Sequence, residues 1–228
     1  DDYFVTMQFH LNGFVPGNLQ ISESARDQTS IPNSSEIPSE VDVLIVGCGP
    51  AGLTLARQLA EFPEIKTCII DPKSGPMLFG QADGVSCRTM EIMEAYSASE
   101  LILKESYWLN QISFWDPDKH ASHNIIRSEK TPDPRVGLSE FPHVVLNQAR
   151  IHDLLLDGMR NSVTQLKPIY SCRLQTLSID DSSSADTMDV FPIEATIERV
   201  DDINKGKIEV IKARYIVGCD GARSTVRK

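Results

Sequence analysis

Two short, mainly apolar runs flank a glycine-rich turn and a segment in which apolar residues recur at the spacing of a helix. The first run, residues 41–46, is rich in Val and Ile and stops at Gly47. Such a run is typical of a strand that is buried on both faces of a parallel sheet. A helix is predicted to continue from the turn through residues 53–59, and the second run, residues 66–70, ends at Asp71. The order strand, turn, helix and strand predicts a βαβ unit.

The middle of the chain continues with helices and strands in a less regular order. Apolar residues recur at helical spacing over residues 148–159, which predicts an amphipathic helix. Residues 118–136 are polar with little pattern, so no element is predicted there. The remaining predicted elements are a helix over residues 88–96 and strands over residues 112–115 and 141–147.

From residue 169 onward the pattern becomes that of β-structure. Strands are predicted over residues 173–179, 193–199 and 207–213, and a largely apolar run follows over residues 213–218. Successive strands with short polar turns predict an antiparallel meander inserted between parts of the βαβ fold. The sequence therefore predicts an α/β protein with a Rossmann-like (βαβ) fold and an inserted antiparallel β meander.

The turn between the first strand and its helix has the sequence GCGPAG over residues 47–52. Gly47 allows a tight turn, Gly49 allows a diphosphate to approach the backbone, and Gly52 allows the helix to pack closely. Free N–H groups and the positive end of the helix dipole then face the phosphates. Asp71 stands where a ribose-binding carboxylate is expected, and an acid there favours FAD or NAD over NADP. The pattern predicts a dinucleotide-binding unit; the alternative is a purely structural α/β crossover.

A second acidic residue follows the last apolar run. Asp220 stands shortly after residues 213–218 and is followed by Gly221 and a predicted helix start. Because ligands bind at the carboxyl ends of strands in sheets of this kind, Asp220 is a second candidate for the cofactor site. The alternative interpretation is a helix N-cap.

The first 40 residues differ in composition from the rest of the chain. Residues 22–40 are polar, rich in serine and contain Pro32 and Pro38. Low hydrophobicity of this kind predicts a partly mobile N-terminal arm over residues 1–40. Residues 41–228 are then predicted to form the nucleotide-binding domain.

Composition limits the class of partner. The 228 residues carry a formal net charge of −10, which argues against nucleic acid. No apolar run approaches the roughly 18 residues of a membrane span, and the N-terminus lacks the features of a signal sequence. The five cysteines form no CxxC pair, which predicts buried thiols in a reducing compartment, hence a cytoplasmic protein, rather than a metal site or a disulfide framework.

Four spaced motifs carry a family resemblance. They are GCGPAG at 47–52, GQADGVSCRT at 80–89, NQAR at 147–150 and GCDGARSTVR at 218–227. In this order the motifs resemble those of the FAD-dependent aromatic-ring hydroxylases, the single-component flavoprotein monooxygenases. Members of that family continue beyond the last motif, so the resemblance implies the N-terminal FAD-binding part of a longer enzyme.

The resemblance also implies an activity and its cofactors. Members of the family hydroxylate a phenol with NAD(P)H and O2 through a C4a-hydroperoxide of FAD, while the protein positions flavin and ring and supplies a proton acceptor. A small substrate resembling 3-hydroxybenzoate or phenol is implied, and a homodimer of the full-length parent is compatible with it. Two alternatives stay open. One is a catalytically inactive truncated remnant that binds FAD weakly or not at all, and the other is an FAD enzyme of the same fold with another chemistry, such as halogenation.

The motifs imply roles for individual residues as well. Those that match FAD-contacting positions of the family are Gly47, Gly49, Pro50, Ala51, Gly52 and Asp71 at the ADP half, Gln81, Arg88 and Gln148 near the diphosphate, ribityl chain and ring, and Asp220. Asp83 matches the acid beside the substrate phenol, and His143 matches a position near the substrate where an imidazole can donate to a carboxylate. The alternatives are a turn-stabilising role for Asp83 and a structural role for His143.

Overall fold

The computed structural model of the chain describes residues 36–133, 137–180 and 191–228. The predicted N-terminal arm, residues 1–40, lies outside these ranges up to position 35, so its character stays a prediction. Among the helices in the described ranges, none combines the length and the apolar character needed to cross a bilayer.

The chain divides into two compact units. One contains residues 79–151, and the other contains residues 36–78 and 152–228. They are named here the three-stranded unit and the five-stranded unit, after the main sheet in each. The boundary between them falls within the helix Gln148–Arg160, and the predicted domain over residues 41–228 includes parts of both.

Ten strands and four helices form in the residues that the structure describes. In chain order they are β1 (Glu40–Val46), α1 (Pro50–Leu59), β2 (Thr67–Ile70), β3 (Gly84–Val85), α2 (Cys87–Ala95), α3 (Ser99–Glu105), β4 (Tyr107–Leu109), β5 (Gln111–Pro117), β6 (Ile125–Pro132), β7 (His143–Val145), α4 (Gln148–Arg160), β8 (Cys172–Ile179), β9 (Ile193–Arg199) and β10 (Ile208–Gly218).

The five-stranded unit confirms the predicted α/β fold with a parallel part and a meander. The strand order of its sheet is β2–β1–β10–β9–β8; β2, β1 and β10 run parallel, whereas β9 is antiparallel to both β10 and β8. The strands predicted over residues 207–213 and 213–218 are one continuous strand, β10. Its first half pairs with β9 and its second half with β1, so the meander and the parallel sheet share a strand.

The register of the parallel strands brings three loops to one edge of the sheet. Val46 of β1 pairs with Ile70 of β2 on one side and with Gly218 of β10 on the other. Helix α1 packs against β1 and β2. The loops that follow β1, β2 and β10 therefore leave the sheet side by side, at the carboxyl edge where such sheets bind ligands.

The core of the five-stranded unit consists of apolar side chains that alternate along its strands. Burial of these side chains supplies the main favourable contribution to the free energy of folding. The buried cluster contains Val41, Leu44, Val46, Cys68, Ile70, Cys172, Leu174, Ile193, Ala195, Ile197, Ile211 and Ala213.

The three-stranded unit contains two antiparallel sheets. In one of them β7 lies between β3 and β4, and in the other β5 and β6 form a two-stranded ribbon. The prediction that residues 118–136 contain no element is therefore wrong. All but one of the β6 side chains are exposed, so no alternation of apolar and polar residues marks this strand in the sequence.

Candidate functional site

The loop between β1 and α1 is fixed by backbone contacts with the neighbouring strands. The Gly47 N–H donates to the Ile70 carbonyl at 2.8 Å, and the Cys219 N–H donates to the Val46 carbonyl at 2.7 Å. Gly47 has a φ of +107°, and a Cβ atom at this position would overlap the carbonyl oxygen of Cys219. Because both the backbone conformation and the close approach exclude a side chain, Gly47 is required by the loop itself.

The other two glycines of the turn differ in what surrounds them. A Cβ atom on Gly52 would overlap the Gly47 carbonyl oxygen, so α1 packs directly on the loop. Gly49 is the N-cap of α1 with a φ of −70°, which any residue can adopt, and the nearest non-neighbouring atom to a Cβ atom there is the Cys219 oxygen at 3.9 Å. Neither its conformation nor its packing against the residues that the structure describes requires glycine at position 49. Its missing side chain leaves open the space in front of the helix.

The first residues of α1 complete this open face. Pro50 occupies the first helical position, where its missing N–H removes no hydrogen bond because the first N–H groups of a helix have no intrahelical partner. Ala51 follows it and is exposed. The open space before Gly49, the N–H groups of the first turn and the positive helix end fit an anionic diphosphate.

Asp71 is bonded to the same loop. Its Oδ2 accepts the Cys48 N–H at 2.7 Å and its Oδ1 accepts the Lys73 N–H at 2.8 Å. The side chain is 5% exposed. Sequence reasoning placed Asp71 at the tip of the second strand, and the structure adds that its carboxylate ties that tip to the glycine loop.

Asp220 lies beside the glycine loop, after β10. The backbone N of Asp220 would be 2.9 Å from a Cβ atom on Gly47. Burial disfavours the charged carboxylate, but hydrogen bonds from the Ser224 side chain and the Thr225 N–H outweigh it and hold the pKa of Asp220 below its usual value. A helix was predicted to start after Asp220, but residues 221–228 contain turns and no helix. Asp220 therefore stabilises a turn as an anion and is not a helix N-cap.

Further predicted site residues come together in the three-stranded unit. The Leu146 N–H donates to the Asp83 carbonyl at 2.8 Å, and Gly84 pairs with Val145 where β3 meets β7. The Asp83 side chain is exposed. The stretches that contain Asp83 and His143, far apart in the sequence, are thus neighbours in one sheet.

The start of α4 lies against the loop that contains Gln81. The Gln148 Oε1 accepts the Gln81 N–H at 2.8 Å, and a Cβ atom on Gly80 would overlap the Gln148 side chain. Asn147 accepts the Ala149 N–H through its side chain at 2.9 Å, which satisfies one of the first N–H groups of the helix. The structure therefore joins two predicted cofactor residues, Gln81 and Gln148, by a hydrogen bond.

His143 is paired with an acidic residue that sequence reasoning missed. Its Nδ1 lies 2.5 Å from the Asp133 Oδ2, and the two side chains are 22% and 24% exposed. The Nε2 atom lies on the side of Gly84, 3.3 Å from where a Cβ atom on that glycine would be. Asp133 directly follows β6, the strand that no sequence pattern predicted, so no signal indicated this contact.

Two arginines of the family motifs have different environments. The predicted cofactor residue Arg88 has a side chain that is 80% exposed and forms an ion pair with Glu91. Arg150, from the NQAR motif, is fully buried and binds Glu105 through Nε at 2.6 Å and Nη2 at 2.8 Å. Removal of either partner alone would destabilise the three-stranded unit, because it would leave a charge that is shielded from water.

Comparison with known proteins gives these residues a family context. Residues 40–228 match the family model described as FAD binding domain. The chain is 53% identical over 222 residues to the 3-hydroxybenzoate 4-monooxygenase of Comamonas testosteroni, a match that covers 97% of this chain and 34% of that protein. It is 34% identical over 191 residues to the FAD-dependent monooxygenase terD of Aspergillus terreus, covering 83% of this chain and 30% of the relative. It is 29% identical over 194 residues to the phenol 2-monooxygenase fsqG of Aspergillus fumigatus, a match that covers 85% of this chain and 30% of the relative.

The chain spans about a third of the length of these curated relatives. Among solved structures, the flavin-dependent monooxygenase PieE in complex with FAD and substrate has a TM-score of 0.63 at 21% identity, covering 82% of this chain and 31% of that chain. Aklavinone-11 hydroxylase in a ternary complex with FAD and aklavinone has a TM-score of 0.60 at 22% identity, and the match covers 84% of this chain and 35% of that chain. These two likenesses show the fold alone. Since the family model matches most of its length, the chain belongs to the FAD binding domain family.

Proposed function

We propose that this chain is the N-terminal FAD-binding part of a flavoprotein monooxygenase that hydroxylates a small phenolic substrate with NAD(P)H and O2. The observation that supports this most is the shared sheet edge at which the glycine loop, Asp71 and Asp220 meet. It occurs in a chain that is 53% identical to a 3-hydroxybenzoate 4-monooxygenase.

The residues at this edge fit the ADP half of FAD. The open face before Gly49 admits a diphosphate to the start of α1, where Pro50 and Ala51 lie. The Asp71 carboxylate uses two of its roughly four acceptor sites on backbone N–H groups, so it can still accept from a ribose hydroxyl. We assign Gly47, Gly52 and Asp220 to the support of this loop.

The three-stranded unit contributes groups for the flavin and the substrate. Gln81, Gln148 and Arg88 are proposed to contact the cofactor, and the hydrogen bond between the two glutamines holds their loop and helix together. FAD, when bound and reduced by NAD(P)H, supplies the oxygen activation for the transfer to the ring. The exposed Asp83 carboxylate accepts the phenol proton, which makes the ring more reactive towards an electrophilic oxygen.

The proposed substrate class is argued from His143, whose ring lies beside Gly84, the residue after Asp83. His143 presents Nε2 on the side of Gly84, where the ring can donate to a carboxylate. This favours a carboxylated phenol such as 3-hydroxybenzoate over phenol itself. We further propose a reducing compartment such as the cytoplasm, which is consistent with the buried free thiols of Cys48, Cys68 and Cys172.

The test uses the longest form of the protein that its gene encodes. FAD is added, excess is removed by desalting, and the visible spectrum is recorded; NAD(P)H oxidation is then followed with 3-hydroxybenzoate and with phenol, and products are identified by chromatography. We expect a flavin spectrum and a dihydroxylated aromatic product. A colourless protein would contradict the FAD site. A protein that retains little or no FAD and forms no product would support the alternative, a catalytically inactive remnant, and a flavin-containing protein that forms no product would contradict the hydroxylase activity.

A further inference from the structure

We propose that Asp133 is a positioning residue for His143, which it holds through Nδ1 so that Nε2 is presented to an anionic group on the substrate. The inference rests on the proposed function, because it refines the choice between carboxylated and uncharged phenols. It assigns a role to a carboxylate for which the hydroxylase motifs gave none.

Asp133 is itself held in place by the ribbon. Its backbone N–H donates to the Asn110 carbonyl at 3.1 Å, at the point where β5 and β6 begin and end. Its carboxylate, 24% exposed, lies 2.5 Å from the His143 Nδ1. The two atoms are therefore close enough to share a hydrogen bond. The anchor of the imidazole is therefore a fixed group and not a mobile surface carboxylate.

His143 is fixed from the other side by its strand. It begins β7 and pairs with Leu109 of β4, while Val145 of the same strand pairs with Gly84. The Nε2 atom is 3.3 Å from the place that a Cβ atom on Gly84 would occupy, so a side chain there would crowd the ring. With Nδ1 on Asp133 and the ring edge beside Gly84, both the position and the rotation of the imidazole are determined.

The chemistry of the pair decides what Nε2 can do. An ionised carboxylate can only accept, so Nδ1 must carry the proton that the two share. When the ring also carries a proton on Nε2, the His143–Asp133 pair has no net charge and Nε2 donates to the ligand. An incoming carboxylate then meets a hydrogen-bond donor without an unbalanced anion beside it. Without Asp133 the ring is free to rotate and to present either nitrogen, so this donor is no longer directed.

The first test measures the tautomer directly, without FAD or substrate. The protein contains five histidines, so the imidazole nitrogens can be followed by 15N NMR after labelling of histidine, with His143 assigned by its absence in His143→Gln. We expect the neutral His143 ring to carry its proton on Nδ1. Asp133→Ala and Asp133→Asn should both give a mixture of tautomers, and Asp116→Asn, on the exposed face of the same ribbon, should not.

The second test measures the substrate preference of the FAD-loaded protein in its longest encoded form. For Asp133→Ala and Asp133→Asn we expect the KM for 3-hydroxybenzoate to rise about tenfold, the loss typical of a misdirected hydrogen bond to a charged group. The KM for phenol should change by less than about twofold, and Asp116→Asn should leave both values unchanged. The shape-conserving asparagine keeps the test decisive if the alanine variant fails to fold.

A failure of the positioning role and a failure of the proposed function give different results in these two tests. If both Asp133 variants retain the wild-type tautomer and the wild-type ratio of the two KM values, the positioning role is overturned, while bound flavin and dihydroxylated product would leave the proposed function intact. If the wild-type protein hydroxylates neither substrate, the proposed function fails. The tautomer measurement then decides by itself whether Asp133 directs His143.

Discussion

The carboxylate of Asp71 accepts the backbone N–H of Cys48 at 2.7 Å and thereby joins the end of β2 to the loop that follows β1. Burial, together with the negative charge of Asp71, raises the pKa of the Cys48 thiol well above its usual value. The thiol is therefore uncharged, and Asp71 supplies the negative charge at this point of the loop. Asp71, which was expected from its position to bind a ribose, thus also supports the glycine loop.

We predict that Asp71→Asn destabilises the protein even in the absence of FAD. The carboxylate accepts two backbone N–H groups, and an asparagine amide can accept only one of them while its NH2 group faces the other. The free energy of unfolding should fall by about 1–3 kcal/mol, measured by urea denaturation. The matched change Asp202→Asn, at an exposed position, should alter it by less than about 0.5 kcal/mol. Equal effects of the two changes would contradict a structural role for Asp71.

The glycines at 47 and 49 should separate folding from cofactor binding. Gly47→Ala places a side chain in a left-handed conformation and against the Cys219 carbonyl, so we expect a loss of stability of roughly 1–3 kcal/mol. Among the described residues, the nearest non-neighbouring atom to a Cβ atom in Gly49→Ala is 3.9 Å away, so this change should lower stability by about 1 kcal/mol or less. Gly49→Val should nevertheless abolish FAD binding, because its side chain fills the space of the diphosphate.

Thermal unfolding and the visible spectrum after desalting distinguish these two effects. For Gly49→Val we expect a melting temperature close to that of the wild type and a colourless protein after FAD addition and desalting. Retention of FAD by Gly49→Val would show that the space before α1 does not receive the diphosphate.

His152 is predicted to make stability depend on pH. It is 2% exposed, and neither ring nitrogen has a hydrogen-bond partner among the described residues. Burial, reinforced by the nearby charge of Lys73, lowers the pKa of His152 from 6.5 to about 4. The unfolded chain therefore binds a proton that the folded chain does not between these values, and folding stability falls as the pH falls from about 6.5 to 4. The loss from this group should be on the order of 3 kcal/mol.

The measurement is the free energy of unfolding of the wild type minus that of His152→Leu at pH 7 and at pH 4.5. At pH 7 the variant should be as stable as the wild type or more stable, because leucine has no polar atoms to bury without partners. Between pH 7 and pH 4.5 the free energy of unfolding of the variant, relative to that of the wild type, should rise by about 2 kcal/mol or more. A difference that does not change with pH would show that His152 finds a partner or water in the folded state.

The sequence was informative where burial imposes a pattern. The strands and the helix of the βαβ unit and the meander were predicted closely, because their side chains alternate or repeat against a core. The single strand β10 was divided into two because charged residues recur along its first half, in the meander, whereas its second half, in the parallel sheet, is largely apolar. Strand β6 was missed because a two-sided exposed ribbon has no apolar face to reveal its period.

The same distinction applies to the candidate site. Gly47 and Asp71 were found from spacing alone, because a glycine turn and a strand tip are local features. The bond from Asp71 to Cys48 and the pair of Asp133 with His143 depend on tertiary contacts, which leave no local pattern. Arg150 shows the reverse case: its motif resembles a functional signature, yet the side chain is buried in an ion pair with Glu105.

Asp83 provides the prediction that bears most directly on catalysis. Its backbone is fixed by the hydrogen bond to Leu146, but its carboxylate is exposed, so Asp83→Asn should leave the fold and the flavin spectrum unchanged. If the carboxylate accepts the phenol proton, kcat for 3-hydroxybenzoate and phenol should fall by about 10²–10⁴-fold at pH 7. Asp116→Asn, an exposed change on the neighbouring ribbon, should have no effect.

The pH dependence of the fall in kcat caused by Asp83→Asn shows whether Asp83 accepts the phenol proton. A phenol ionises in water near pH 10, as the tyrosine side chain does at about 10, and an ionised phenol needs no proton acceptor. The deficit of Asp83→Asn relative to the wild type should therefore shrink as the pH of the assay rises towards that value. Steady-state rates of product formation between pH 7 and about 9.5 measure this recovery. A deficit that is constant over the range, or a variant that loses bound FAD, would mean that Asp83 shapes the turn before β3 and does not take the proton.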